Sequence, residues 1–342
     1  MNNRLKIAQL TYIADRDWGV GKYSWYLADN LRKLGAQVDV FSTRFHFKGL
    51  GPPLLYLRNM ALKLNNYDLI HSNEGAGLFV RHPCMVETYH HDYSQSTDIN
   101  GQVFDRLENI QCMRAQRIIV PSETTKKSLC SRGFSERKIV VIHHGVDQEL
   151  FRPNTLSRAS TRERLGIEDS FVVISVGRLI EHKRHIDIVE ALSKIQGSIF
   201  ILVGAGIEEG NILRVAKERN VRVLRFSNIS DAELASLYRA SDVYAHASTL
   251  EGFGLTVLEA MSSGLPVVCY EAGDLGDVVS DSGFVLRQGD IEGLEQNLES
   301  LRLRREERVA AGDRALKRSR TFSWDKSAQT HLEVFKEVCG ER

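Results

Sequence analysis

Between Ala247 and Val279 the chain reads ASTLEGFGLTVLEAMSSGLPVVCYEAGDLGDVV, an order of residue types that admits few folds. Gly252 and Gly254 bracket Phe253, so the backbone can turn sharply and present N–H groups with no Cβ in the way. Thr256 to Met261 then has the make-up of an apolar helix, stopped by Gly264 and followed by a short buried strand, Pro266–Cys269. A helix N-terminus behind a glycine turn is a ready anion site. Two carboxylates bracket it, Glu251 in the turn and Glu259 on the helix. The competing reading is an ordinary strand–loop–helix connection in which Glu251 is solvated, because short glycine motifs are weak evidence alone.

A chain of 342 residues exceeds a usual single core, so two domains are expected. Its 42% hydrophobic and 26% charged residues place it among globular proteins. A net charge of +1 argues against a nucleic-acid binder that relies on a global basic field. The start, MNNRLKIAQLTYIAD, lacks the apolar core of a secretory leader, and no run approaches the roughly 20 apolar residues of a spanning helix. Cys84, Cys112, Cys130, Cys269 and Cys339 are scattered without a C-x-x-C pair, which fits core packing in a reducing compartment. A cytoplasmic location is the expectation.

In the first half, Lys6–Ile13 predicts a buried strand and Lys22–Leu34 an amphipathic helix ended by Gly35, with a second strand at Val38–Phe41. Gly19 and Gly21 therefore fall at a strand-to-helix turn, where open α/β sheets bind ligands. No acidic residue occurs between Val40 and Tyr67, while Arg44, Lys48, Arg58 and Lys63 sit among aromatic and aliphatic side chains. Residues 44–64 either touch an anionic membrane surface peripherally or pack on the domain with solvated cations. Asp68–Ser72 and Cys84–Tyr89 read as further strands, the second running into His90, His91 and Asp92. Neighbours on a strand point to opposite faces, so this triplet is a poor metal set. One histidine at the C-terminal strand edge is the better reading: His90, or His91 if the register slips by one. Phe104–Arg114 has helical spacing, Arg117–Pro121 and Ile139–Ile142 read as strands, and Ser122 resembles a helix cap. Phe151-Arg152-Pro153 and the polar stretch after it read as a linker, which sets a first domain at 1–153.

Phe171–Val176 restarts the βα pattern, opening a second domain at 154–322. Gly177 ends that strand, and Arg178 and Lys183 follow in a loop where two cations could converge on one diphosphate. The alternative is a pair of solvated loop cations. His182 and His185 have no carboxylate or cysteine partner at a diagnostic spacing, so no metal site is expected. Ser198–Val203 and Val221–Phe226 read as strands, Glu208–Arg219 as a helix, and Asp231–Ala240 as a helix capped by Asp231. After charge-rich helical surface at Arg302–Arg308 and Arg314–Arg320, Phe322-Ser323-Trp324-Asp325 precedes a last helix at Lys326–Val338 in a segment 323–342.

Taken together, Glu251-x7-Glu259, Gly177-Arg178-x4-Lys183, Thr88-x-His90 and the Phe-Ser-Trp segment at 322–324 stand in an order that resembles the retaining GT-B glycosyltransferases of the family 4, or group 1, type. The resemblance runs through nearly the whole chain. It implies an α/β GT-B fold: two Rossmann-like, doubly wound domains facing a central cleft, with the last helix crossing back to the first. It further implies transfer of a hexose-type sugar, with retention, from a UDP- or GDP-sugar to a hydroxyl of a glycan or lipid-linked acceptor, in cell-surface polysaccharide or glycolipid synthesis.

In that family the counterparts of Arg178 and Lys183 neutralise the leaving diphosphate, Glu251 lies by the donor sugar, Glu259 grips the ribose, and His90 (rival His91) sits at the acceptor side. Gly19 and Gly21 match the glycine loop that closes over the donor phosphate, and Gly177, Gly252, Phe253, Gly254, Leu255 and Thr256 complete the implied donor site. The nucleotide sugar is then a co-substrate, with no cofactor and no metal required, since two cations and a helix end face the diphosphate. The enzyme would be cytoplasmic, with peripheral contact at the inner membrane face through 44–64. Departures are His144 before Gly145, where asparagine is usual, Ala247 in place of a proline, and Gly273-Asp274-Leu275-Gly276-Asp277 in place of G-G-x-x-E. These bear on the sugar rather than on the phosphate site. Two rivals stay open: a nucleotide-sugar epimerase or hydrolase on the same fold, and a catalytically silent sugar-nucleotide binding protein.

Overall fold

The computed structural model describes residues 4–12, 19–42, 64–78, 80–90 and 99–340. The chain forms two compact units, Met1–Gly145 with Ser323–Arg342, and Val146–Phe322. The stretch 44–63 and His91 lie outside the described residues. Among the described residues, no helix is long and apolar enough to cross a membrane.

Among the described residues, the first unit holds a sheet of six parallel strands: β1 (Lys6–Leu10), β2 (Gln37–Phe41), β3 (Leu69–Asn73), β4 (Met85–Thr88), β5 (Arg117–Val120) and β6 (Ile139–Val141), in the order β2-β1-β3-β4-β5-β6. Helix α1 (Gly19–Lys33) links β1 to β2 and turns Tyr23, Leu27 and Leu31 inward at helical spacing. Gly19 and Gly21 thus belong to the first turn of this helix and not to a loop before it. Helix α2 (Ile99–Arg114) follows β4, and α3 (Glu123–Ser131) is capped as expected, Ser122 Oγ accepting from Thr125 N at 2.9 Å.

The second unit repeats the pattern with β7 (Phe171–Val176), β8 (Ser198–Val203), β9 (Arg222–Phe226), β10 (Val243–His246), β11 (Val267–Tyr270) and β12 (Phe284–Leu286). Their order, β12-β11-β10-β7-β8-β9, is a doubly wound parallel sheet. Every residue of β7 and β8 is buried because helices cover both faces, which is why these strands read as unbroken apolar runs. Alternation splits them between two cores: Val172, Ile174, Val176, Ile199, Ile201 and Val203 on one face, Val173, Phe200 and Leu202 on the other. Phe151, read as linker, is buried in the first of these cores, and helix α4 (Thr155–Leu165) follows directly.

The covering helices are α5 (His185–Leu192), α6 (Glu209–Glu218), α7 (Asp231–Ala240), α8 (Leu255–Ser262), the short α9 (Leu275–Val279), α10 (Ile291–Leu303) and α11 (Arg305–Ser319). Ser230, not Asp231, caps α7, accepting from Glu233 N at 3.2 Å; Asp231 sits in the first turn, where its charge suits the helix dipole. The last helix, α12 (Trp324–Val338), belongs to the first unit and packs on α1, with Trp324 stacked on Tyr26 at 5.3 Å. A Cβ at Gly145 would stand 2.2 Å from Trp324 N, so only glycine lets the two backbone segments pass.

Candidate active site

In the second unit the strand order reverses between β7 and β10. The loops leaving the C-terminal ends of two such neighbours diverge to opposite faces and open a crevice, the usual ligand position of doubly wound sheets. Those two loops are Gly177–Lys183 and Ala247–Gly254, the segments singled out by residue type. They are tied together: Thr249 N donates to His182 O at 2.8 Å. Lys183 Nζ pairs with Glu251 Oε1, and His246, the last residue of β10, brings Nε2 to the same oxygen at 2.6 Å.

The Lys183 and Glu251 side chains keep only 13% and 10% of their surface exposed, so solvent screens the pair weakly. Burial alone would raise the Glu251 carboxyl; the Lys183 ammonium, His246 and their hydrogen bonds outweigh it and hold the acid well below the usual carboxylate range. The same cations act on their neighbours. Burial, then Lys183 and Arg178, bring His182 down to about 4, and burial brings His185 down to about 3. Both rings are therefore neutral near pH 7, and His185 is fully enclosed in α5. Arg178 is exposed at the mouth of the loop.

Gly254 is the N-cap of α8, at φ +84°, and contributes no side-chain cap. The amides of Leu255, Thr256 and Val257 start the helix and have no partner one turn back. A Cβ at Gly254 would lie 2.4 Å from Leu275 Cδ2, and one at Gly273 would lie 2.0 Å from Glu251 O. Close backbone packing therefore fixes the Glu251–Gly254 turn. Phe253 faces inward, buried and edge-on to Phe322 at 5.7 Å, so its role is packing. Glu259 is one turn along α8, 3% exposed, with Tyr238 OH donating to Oε2 at 3.2 Å. Tyr244 OH lies 2.9 Å from Thr256 Oγ1 and 3.2 Å from His246 Nδ1.

His246, Tyr244 and Tyr238 were not singled out from the sequence. The available signal was the i, i+2 spacing of Tyr244 and His246 on a strand, which puts both on one face, with His246 at the strand end beside the loop.

The first unit carries His90 just beyond β4, 4% exposed. Asn73, at the end of β3, donates its amide to Leu10 O at 3.0 Å, so its carbonyl oxygen accepts from His90 Nε2, also at 3.0 Å. The ring is wedged edge-on against Tyr23 at 4.5 Å, and His144 packs beside it, 4.5 Å from Tyr23 and 5.4 Å from His90. Tyr23 OH in turn meets His331 Nε2 of α12 at 2.9 Å, and His71 Nε2 meets Thr88 Oγ1 at 2.8 Å. Burial lowers His331 to about 4 and pushes His71 well below its ordinary value, so these two rings are neutral near pH 7. Gly19 and Gly21 lie on α1 in the same unit, and among the described residues no atom comes within 4 Å of where a Cβ on Gly19 would be.

A cavity of about 960 Å3 lies at the opposite, N-terminal edge of the second sheet, lined among others by Arg158, Arg162, Arg305 and Arg308. Asp242 takes Arg158 at 2.6 Å and Arg162 at 3.3 Å, and both guanidiniums also donate to main-chain carbonyls. That cluster is a brace for α4, remote from the crevice between β7 and β10.

Comparison with known proteins bears on the family and the fold. Residues 157–318 match the family described as glycosyl transferases group 1, and residues 19–150 match glycosyltransferase family 4. The D-inositol 3-phosphate glycosyltransferases of Mycobacterium tuberculosis and Mycobacterium bovis are each 30% identical over 245 residues, covering 66% of this chain and 50% of theirs. The chain thus spans about half the length of these curated relatives. Sucrose-phosphate synthase from Thermosynechococcus elongatus has the same fold, with a TM-score of 0.87 at 21% identity over 99% of this chain and 100% of that one. So does Anabaena Alr3699/HepE, solved in complex with UDP and glucose, with a TM-score of 0.82 at 23% identity over 98% and 100% of the two chains.

Proposed function

Because this chain belongs to the group 1 and family 4 glycosyltransferases and has their GT-B fold, we propose that it transfers a hexose-type sugar, with retention, from a UDP- or GDP-sugar to a hydroxyl of a glycan or lipid-linked acceptor. The observation that carries the reading is the Lys183–Glu251–His246 cluster beside the uncapped start of α8. It places a cation, a carboxylate and free amides within one crevice.

In the proposed reaction the bond between the anomeric carbon and the diphosphate oxygen breaks while the acceptor oxygen bonds to the same carbon on the same face. The acceptor's proton passes to the departing phosphate oxygen. Charge grows on the diphosphate, and donors fixed in advance where it grows stabilise the transition state most. Arg178, Lys183 and the Leu255 and Thr256 amides serve there; Glu251 and Glu259 take sugar and ribose hydroxyls. His90 orients the sugar or acceptor, its Nε2 already committed to Asn73. The donor is a co-substrate, and no metal is required by this scheme. Support for a uridine donor comes from Alr3699/HepE, whose structure contains UDP. A cytoplasmic place, peripheral membrane contact through 44–64 and a role in cell-surface glycan synthesis belong to the same proposal.

The test is turnover of a panel of UDP- and GDP-sugars with glycan and lipid-linked acceptors, read as nucleoside diphosphate released and product formed. Release that requires an acceptor and is unaffected by a chelator supports the reading. Release without any acceptor would favour the hydrolase, and no release from any donor would contradict transfer.

A further inference from the structure

His246 belongs to that cluster but has no role in the bond changes of the proposed reaction, although it is 3% exposed and makes a 2.6 Å contact to the Glu251 carboxylate. Two cationic or N–H donors converge on one oxygen: Lys183 Nζ and His246 Nε2 both reach Glu251 Oε1. The acid is ionised, so its oxygens only accept, and Nε2 must carry the proton. On the other side of the ring Nδ1 lies 3.2 Å from the Tyr244 hydroxyl, whose own proton goes to Thr256 Oγ1 at 2.9 Å. The rings of Tyr244 and His246 are also near-parallel, 15° apart with centroids 5.8 Å apart. The imidazole is bounded at both nitrogens and across its face, so it cannot turn away from Glu251.

This matters because Lys183 has two claims on it. In the structure it pairs with Glu251, while the proposed reaction also requires it at the diphosphate. An ammonium has three protons and can serve both, but its aim at Glu251 must loosen when a doubly charged ligand arrives. A carboxylate anchored by lysine alone would then be released into the crevice. Resting on the glycosyltransferase reading above, we propose that His246 is a positioning residue: it holds Glu251 Oε1 in place while the donor draws on Lys183, and so keeps Oε2 presented to a hydroxyl of the donor sugar. The chain Thr256–Tyr244–His246–Glu251 ties the start of α8, where phosphate binds, to the carboxylate that meets the sugar.

The decisive experiment uses His246→Leu, which fills the space without a donor, and His246→Gln, whose amide nitrogen can stand near the Nε2 position. Expected for His246→Leu is a kcat lowered at least tenfold with the donor KM within about threefold of wild type, because the ground-state phosphate contacts survive while sugar alignment does not. His246→Gln should recover to within about threefold of wild-type kcat. A His246→Leu enzyme with wild-type kcat would overturn the proposal, and so would His246→Gln failing as badly as His246→Leu. A second readout needs no turnover. In protein labelled with 15N-histidine, the His246 Nε2–H signal should be that of a charge-assisted hydrogen bond and should move on Glu251→Gln. A signal indifferent to Glu251→Gln overturns the positioning role even in an enzyme that accepts no donor tried, whereas absence of all turnover with that signal intact refutes the transferase reading instead.

Discussion

Glu87 offers a perturbation whose size can be worked from the structure. It sits on β4, three residues before His90, fully buried, and its Oε1 accepts from Gly75 N at 2.6 Å. That bond pins the turn after Asn73, the residue that orients His90. Burial raises the acid from its ordinary 4.5 to about 8, against the opposing pull of hydrogen bonds from Ser72 and Gly75. The folded value is the higher one, so the folded protein keeps a proton that the unfolded chain gives up. Glu87's contribution is therefore fully present below about pH 4.5 and is lost as pH rises towards 8. Each pH unit in that window costs about 1.4 kcal/mol until the folded group itself begins to ionise, so the loss is about 3 kcal/mol at pH 7 and about 4 kcal/mol at pH 8. Glu87→Gln keeps the acceptor for Gly75 and cannot ionise. Urea unfolding of both proteins at pH 5 and pH 8 should show the variant gaining about 3.5 kcal/mol on wild type between the two conditions. A gain under about 1 kcal/mol would mean that Glu87 ionises in the folded protein, and the argument from its burial would be wrong.

Three further outcomes are expected. Gly254→Ala must place a Cβ at φ +84° and 2.4 Å from Leu275 Cδ2; a left-handed alanine and an overfilled contact together cost about 2–4 kcal/mol, read by denaturant unfolding, with weaker nucleoside diphosphate binding alongside. Lys183→Ala should lower turnover about 100-fold or more, as removal of one preset charge-stabilising donor does elsewhere; an unchanged kcat would sink its phosphate role. Tyr23→Phe leaves His331 Nε2 in a buried nest without its 2.9 Å hydroxyl partner, and thermal or urea unfolding should register a loss of about 1–3 kcal/mol.

Much of the architecture is legible because buried parallel strands carry their signal locally. FVVISV and SIFILV need both faces covered, and the structure covers both. Helix starts are less legible. Asp231 has the right residue type for a cap, yet Ser230 one step earlier has the extended backbone that capping needs. Gly19 and Gly21 look like a loop because glycine favours one, but the helix absorbs them in its first turn.

In the candidate site, Lys183, Glu251 and Gly254 could be picked out by spacing, since a cation, an acid and a positive-φ turn are properties of single residues. Their pairing could not, because it depends on β7 and β10 lying side by side although 66 residues separate Val176 from Val243 in sequence number. His246 shows the same limit: a histidine at a strand end says nothing until the loop folds back on it. Phe253 errs the other way. The family resemblance puts it in the donor site, whereas an apolar ring beside Phe322 has more to gain from the core.

The central claim is that the crevice between β7 and β10 binds a nucleoside diphosphate through Arg178, Lys183 and the start of α8. It is tested most directly by thermal shift with UDP, GDP and ADP, without added metal, on the wild-type protein and on an Arg178→Ala/Lys183→Ala variant. The account predicts a clear upward shift with one uridine or guanosine diphosphate, and its loss in the variant. No shift with any nucleotide, or an equal shift in the variant, would contradict it.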